Sequence, residues 1–174
     1  MLYSFDGKQP EVSKNAYVSE LAMLIGDVVV EDNCYIGHGA ILRGDYGRIE
    51  IGAGSAVEEG VIIHAPPKEI CKIGKKVTFG HGATVHAASI GNFAVIGMGA
   101  VVSLWSEIGE AAIVAEGAVV RMKQIIPERV VVAGNPAKVV RKVIAKDEEM
   151  WGGGKQLYID LAKKYLEIGM HKVG

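Results

Sequence analysis

Ile90-Gly91-Asn92-Phe93-Ala94-Val95-Ile96-Gly97-Met98-Gly99-Ala100-Val101-Val102 opens a run in which a β-branched aliphatic residue returns at every sixth position, through Ile108, Val114, Val120, Ile126 and Val132. Neither the 3.6-residue period of a helix nor the two-residue period of a flat strand produces that spacing. Upstream the same rhythm holds in Leu24, Val30, Ile36 and Leu42, then in Ile51, Val57 and Ile63, then in Ile73, Phe79 and Val85. A small residue stands two places before many of these aliphatics, as at Ala40, Ser55, Ala83, Ala94, Ala100, Ser106, Ala112 and Ala118. A hexapeptide period with these cues predicts a parallel β-helix. Short strands of a sandwich or barrel also alternate apolar residues with turn signals. A sandwich varies its strand and loop lengths, however, whereas each rung of a β-helix repeats so that side chains stack over their equivalents one turn below.

The composition agrees with one globular fold. The chain has 174 residues, of which 49% are hydrophobic and 22% charged, with 23 glycines and 6% aromatics, which suits a narrow prism filled by aliphatics. A net charge of −1, with basic residues scattered rather than striped, gives no electrostatic footprint for nucleic acid or an acidic membrane. The two cysteines, Cys34 and Cys71, lie outside any C-x-x-C spacing, so neither a disulfide framework nor a thiolate metal site is expected. The first residues lack the basic and apolar regions of a signal peptide and no apolar stretch approaches membrane-spanning length, so the expected location is cytoplasmic.

The coils are expected over about residues 12–132, after which Gly134-Asn135-Pro136-Ala137-Lys138 breaks the rhythm with turn residues. The division is a β-helix with its N-terminal lead-in over 1–140 and a helical segment packed on it over 141–174. Leu157, Leu161, Tyr165 and Ile168 recur at helical intervals and predict an amphipathic helix over about 155–169, with Gly152-Gly153-Gly154 interrupting any earlier start.

Breaks in the six-residue register place the histidines. Nine residues separate Leu42 from Ile51 and ten separate Ile63 from Ile73, so with three hexads to a coil Leu42, Ile63 and Val85 fall in one stacked column. Arg43, His64 and His86 follow them directly and share a second column, with successive coils about 4.7–4.9 Å apart. Ile36, Val57 and Phe79 form another column, which aligns His38, Glu59 and His81 two residues further on. His81 therefore lies on a different edge of the prism from His86. Five extended residues span about 16 Å, so only a neighbouring subunit brings the two columns together. A lone histidine on a strand is usually a satisfied polar residue, but two imidazoles one rung apart can share a divalent ion and a third completes a three-ligand site with an open position. His38, a coil away from Glu59, and His171, in the tail, are not expected to be ligands.

Leu42-Arg43-Gly44-Asp45, Gly60-Val61-Ile62-Ile63-His64, Gly80-His81-Gly82-Ala83-Thr84-Val85-His86, Ile96-Gly97-Met98-Gly99-Ala100 and Gly134-Asn135-Pro136-Ala137-Lys138 together resemble the gamma-class carbonic anhydrase family over nearly the whole chain. The resemblance implies a left-handed β-helix and a homotrimer with a metal at each subunit interface. The ligands it implies are His64 and His86 of one chain and His81 of the next, with zinc as the metal and iron or cobalt also suited to imidazole. The implied activity is that of a lyase hydrating carbon dioxide to bicarbonate. Arg43 and Asp45 are assigned to the interface around the metal, and the columns place Arg43 against Glu59 of the next chain. The sequence departs from the family at Ala56-Val57-Glu58-Glu59-Gly60, where the family reads Asn-Ile-Gln-Asp-Gly. Glu58 thus replaces a catalytic-site glutamine, and an ionised carboxylate accepts hydrogen bonds where an amide also donates.

Three other functions remain open. Hexapeptide β-helix acyltransferases use a histidine as general base on an acyl thioester, a metal-dependent acyl-CoA thioesterase would employ the same metal site, and some relatives are described as siderophore-binding, which suits a non-catalytic binding protein or scaffold. At Ser103-Leu104-Trp105 the family has a turn containing Asp-Gly, and a docking spot for the terminal helix is the expected role of Leu104 and Trp105 here.

Overall fold

Each hexad folds into a strand of two or three residues and a corner. Val101–Val102 and Glu107–Ile108, for example, carry one side chain outward and one into the core. The computed structural model describes residues 1–86 and 89–174. It is a left-handed parallel β-helix of about seven turns with a C-terminal helix.

The aliphatic columns are the three inner walls of the prism. Leu24, Leu42, Ile63, Val85, Val102 and Val120 pair in parallel register along the first face. Val30, Ile51, Ile73, Ile90, Ile108 and Ile126 do so along the second. Val18, Ile36, Val57, Phe79, Ile96, Val114 and Val132 line the third. These side chains, with Cys34 and Cys71, are nearly all removed from solvent, which supplies the hydrophobic term that holds the coils.

The longer spacings are bulges at one corner. Strands Met23–Val30 and Ile41–Ile51 run from the first face to the second without a break. Gly26 aligns with Gly44, but Val28 aligns with Ile49, so the later coil carries three extra residues between those points. One more is added in the next coil, where Arg43 aligns with His64 but Arg48 with Ile70. The bulges gather Asp45, Tyr46 and Pro66 just beyond the outward-facing Arg43 and His64.

The opposite corners demand left-handed backbone. Gly39, Gly60, Gly82, Gly99 and Gly117 hold φ between 64° and 72° after the third face, a conformation glycine adopts without steric cost. Before the third face the same conformation falls on Phe93, Ala111 and Arg129, with φ of 61°, 51° and 55°. Trp105, at φ 56°, occupies the equivalent place between the first and second faces. It does not receive the terminal helix as expected. Its indole donates to Glu69 Oε1 at 3.3 Å and Lys123 Nζ lies 5.6 Å from the ring centroid, whereas the helix packs against the third face.

The terminal helix α1 spans Ala145–Ile168 and runs through Gly152–Gly154, contrary to the expected break. Three glycines weaken a helix by about 1 kcal/mol each, but both halves are anchored. Asp147 accepts from the Ile144 amide at 3.0 Å and pairs with Arg141, and Arg129 pairs with Glu148 at 2.7 Å. Further along, Ile159 and Ala162 are buried, and Tyr165 stacks on Tyr17 with centroids 4.5 Å apart while Tyr158 meets Tyr35 at 5.1 Å. The docking stripe is therefore Lys155, Tyr158, Ile159, Leu161, Ala162 and Tyr165, with Leu161 and Tyr165 where they are expected. Leu157 and Ile168, expected on it, face solvent, because the outer surface of the third face offers the flat rings of Tyr17 and Tyr35 and rewards tyrosines instead. Among the described residues no helix is long and apolar enough to cross a membrane.

Two glycines separate the causes. A Cβ at Gly153 would meet no atom within 4 Å, whereas one at Gly97 would lie 2.6 Å from the Glu116 amide nitrogen and 2.8 Å from the Val114 carbonyl oxygen. Gly153→Ala should raise stability by about 0.5–1 kcal/mol, and Gly97→Ala should lower it by about 1–3 kcal/mol through overpacking. Urea unfolding midpoints read both.

Candidate metal centre

The parallel register sets Arg43 beside His64 and His64 beside His86 on the outside of the first face, as the spacing predicts. The two imidazoles stack with centroids 4.7 Å apart at 27°, and His64 Nδ1 lies 2.9 Å from His86 Nε2. That distance is a hydrogen bond in which one ring donates and the other accepts. Among the described residues His64 Nε2 is buried without a hydrogen-bond partner. The nearest carboxylate oxygen paired with it, Asp45 Oδ1 at 3.6 Å, is beyond hydrogen-bonding distance.

Burial, followed by the positive charge of Arg43, pushes both histidines below their ordinary pKa, with a further contribution to His64 from His86. The pair is thereby held in the neutral form that ligates a metal. Asp45 is held the other way. Burial pushes its carboxyl up, but Arg43 Nη1 donates to Oδ2 at 2.7 Å and the Tyr46 amide to Oδ1 at 3.0 Å, and together they bring it below the usual carboxylate range. Two neutral imidazoles, one of them carrying the orphaned buried nitrogen, suit an imidazole-preferring divalent ion, with an ionised carboxylate nearby. In one chain the set stops there. Among the described residues no three His, Cys, Asp or Glu side chains are grouped to hold an ion.

His81 stands at the corner between the third and first faces, on a separate edge from the pair. Two carboxylates clasp it, Glu59 Oε2 2.9 Å from Nδ1 and Glu58 Oε2 3.2 Å from Nε2. Glu59 also accepts from the Tyr35 hydroxyl at 2.7 Å; burial pushes its carboxyl up, but that bond together with a backbone amide and the nearby His81 and His38 brings it below the usual carboxylate range. Burial dominates at Glu58 and raises it, against the opposing pull of His81 and of the Tyr158 hydroxyl, which donates to it from α1. Within the chain Glu58 thus belongs with His81 beneath the helix, not with Asp45. Arg43 is paired to Asp45, while Glu59, its expected partner across an interface, is engaged by His81 and Tyr35. His38 bonds Ser19 Oγ at 2.7 Å and lies 3.3 Å from the Tyr165 hydroxyl, and His171 Nε2 is 3.0 Å from the Ile168 carbonyl oxygen.

Sequence reasoning missed Tyr35 and Tyr158 as the groups that fix the two glutamates. Tyr158 lies one helical turn from Ile159's docking neighbours and three residues after Lys155, so the signal was present. It is hidden by the placing of Leu157 and Ile168 on the apolar stripe, of which only Leu161 and Tyr165 pack on the third face.

No family model matches the chain. Over 149 residues, 86% of this chain and 76% of the relative, it is 40% identical to the carnitine operon protein CaiE of Escherichia coli K12. A solved hexapeptide transferase family protein from Anaplasma phagocytophilum shares 32% identity at a TM-score of 0.87, covering 95% of this chain and 98% of that one. A suggested acetyltransferase from Bacillus cereus shares 28% identity at a TM-score of 0.93, covering 97% and 98%. Fold and site together define a hexapeptide-repeat protein. The chain belongs to the hexapeptide-repeat family of left-handed β-helix proteins, the gamma-class carbonic anhydrase-like family that its motifs resemble.

The depressed histidines carry a pH dependence in the metal-free protein. The unfolded chain, with histidine pKa near about 6.5, binds protons that the folded pair resists. Their contribution to stability is therefore intact above about pH 6.5 and is lost as pH falls through that value and the lower folded ones. Thermal unfolding between pH 7.5 and 5 should show a steeper loss for the natural protein than for the double variant His64→Gln, His86→Gln. Parallel curves would contradict the assignment.

Proposed function

We propose that this protein is a carbonic anhydrase-like enzyme that hydrates carbon dioxide to bicarbonate at a metal site shared between subunits of a homotrimer. The observation that carries the reading is the stacked His64–His86 pair, in which the buried Nε2 of His64 has no partner among the described residues. His64 and His86 of one chain and His81 of its neighbour would hold zinc, iron or cobalt. A divalent ion so held would supply Lewis acidity, of the kind that takes the pKa of water from about 15.7 to about 7.

The outward column of the first face supports the association. Ile41, Ile62, Thr84, Val101 and Val119 follow one another along it, with Ile62 and Val101 exposed in the single chain, whereas the second face carries Glu50, Lys72, Ser89 and Glu107 at the same level. An apolar sheet face beside two histidines is suited to burial against another copy. The chain's own residues then have separable tasks. Glu59 on Nδ1 fixes the ring orientation of His81 and leaves Nε2 for ligation once Glu58 releases it. Asp45, kept ionised by Arg43, accepts a hydrogen bond from water entering the site and aligns it. Arg43 retains donors for the bicarbonate oxygens. Glu58, buried and negative when ionised, crowds that anion.

One observation favours a second reading. His81 held between two carboxylates is an oriented general base, and the hexapeptide transferase neighbour shares the fold over nearly its full length. An acyltransferase needs His81 alone, whereas the hydratase needs all three histidines.

Elemental analysis and stopped-flow hydration distinguish them. His81→Ala and His64→Ala should each lose bound metal and hydration while circular dichroism keeps its β signal, and mixing the two variants under subunit exchange should restore part of both. Full metal occupancy in His81→Ala would end the three-histidine reading, and acyl transfer from acetyl-CoA that survives His64→Ala would favour the second. Glu58→Gln should raise turnover, since glutamine donates a hydrogen bond to the anion. A fall on the order of 10²–10⁴-fold would instead make Glu58 a base.

A further inference from the structure

Beneath the first half of α1, away from the histidines, lies a cavity of about 260 Å³ walled by Phe93, Val95, Ile113, Val143 and Trp151, with Lys155 also lining it. Lys155 is only 6% exposed. Its ammonium donates to Thr78 Oγ1 at 3.1 Å and to the Ala94 carbonyl oxygen at 3.2 Å, which leaves a third N–H. Among the described residues it forms no ion pair. The carboxylates at the rim are each engaged, Glu148 by Arg129, which also lines the cavity, Asp147 by Arg141, and Glu110 by the Asn92 amide.

We propose that this cavity binds a small carboxylate with an apolar body, its carboxyl group received by Lys155 and its body packed between Phe93 and Trp151. A buried ammonium with no carboxylate within ion-pairing distance, and only the more distant charge of Glu58 to offset it, is unfavourable and is relieved by an anion. In keeping with that, burial pushes Lys155 down to about 8 against the opposing influence of Glu58. Two local choices in the sequence are otherwise unexplained and both serve the cavity. Gly152 and Gly153 weaken α1, yet a Cβ at either position would meet nothing within 4 Å, and Gly152 lines the space. Phe93 accepts a left-handed backbone that a bulky residue rarely adopts and presents its ring at the wall. Local departures of this kind concentrate where a protein binds something.

The test uses the full chain with Trp105→Phe, which leaves Trp151 as the single tryptophan of the two in the sequence. Titration with benzoate and with hexanoate, read by Trp151 emission, should give a saturable change with at least one of them. Benzamide, the neutral analogue of benzoate, should bind at least tenfold more weakly. Lys155→Met should weaken the carboxylate at least tenfold. Gly152→Leu, placed where a side chain has room, should abolish the response while thermal unfolding shows an intact fold. Absence of a saturable response to both carboxylates, equal binding of benzamide where benzoate binds, or unchanged binding in Gly152→Leu would overturn the proposal.

Discussion

Parallel register between coils is the constraint on which everything else in this protein depends. Apart from the closing antiparallel pair of Val130–Ala133 with Lys138–Lys142, the strands of the coils hydrogen-bond to their equivalents one turn away, so a residue's neighbours are decided by its place in the coil rather than by its distance along the chain. That rule buries Leu42, Ile63 and Val85 in one column and thereby fixes Arg43, His64 and His86 in the next. The site is a by-product of packing. Two histidines 22 residues apart in sequence approach to 2.9 Å because the aliphatics before them must stack in a narrow prism.

The same rule separates His81 from the pair. It lies at the end of the third face, and no side-chain rotation carries it around the corner to the middle of the first. Its own surroundings, Glu59 on one nitrogen and Glu58 on the other, form a second half-site. Each half has a distinct electrostatic character. Burial and Arg43 keep the pair neutral, whereas His81 lies between two carboxylates, each bonded in turn to a tyrosine hydroxyl. Association of the apolar first face with the neighbouring edge would join the halves, and the proposed chemistry depends on that junction.

Much of this was legible in the residues. The six-residue rhythm gave the β-helix, and the nine- and ten-residue gaps gave the alignment of Arg43, His64 and His86, because bulges insert residues without disturbing the pairs on either side. Three things were not legible. The Gly152–Gly154 run reads as a break, since local propensity says nothing of the ion pairs at Asp147 and Glu148 that anchor the first turns of α1. Trp105 reads as a landing place for the helix, but the helix chooses the tyrosine-bearing third face. Glu58 reads as an active-site substitution for glutamine, and its burial under Tyr158 is a tertiary fact that no spacing encodes.

The central claim is that the two half-sites meet across a subunit boundary around one ion. Anomalous diffraction at the zinc edge, from crystals of protein loaded with zinc, tests it most directly. The account predicts a peak bonded to His64 and His86 of one chain and His81 of another. A peak coordinated within a single chain, or none beside His64 and His86, would contradict it.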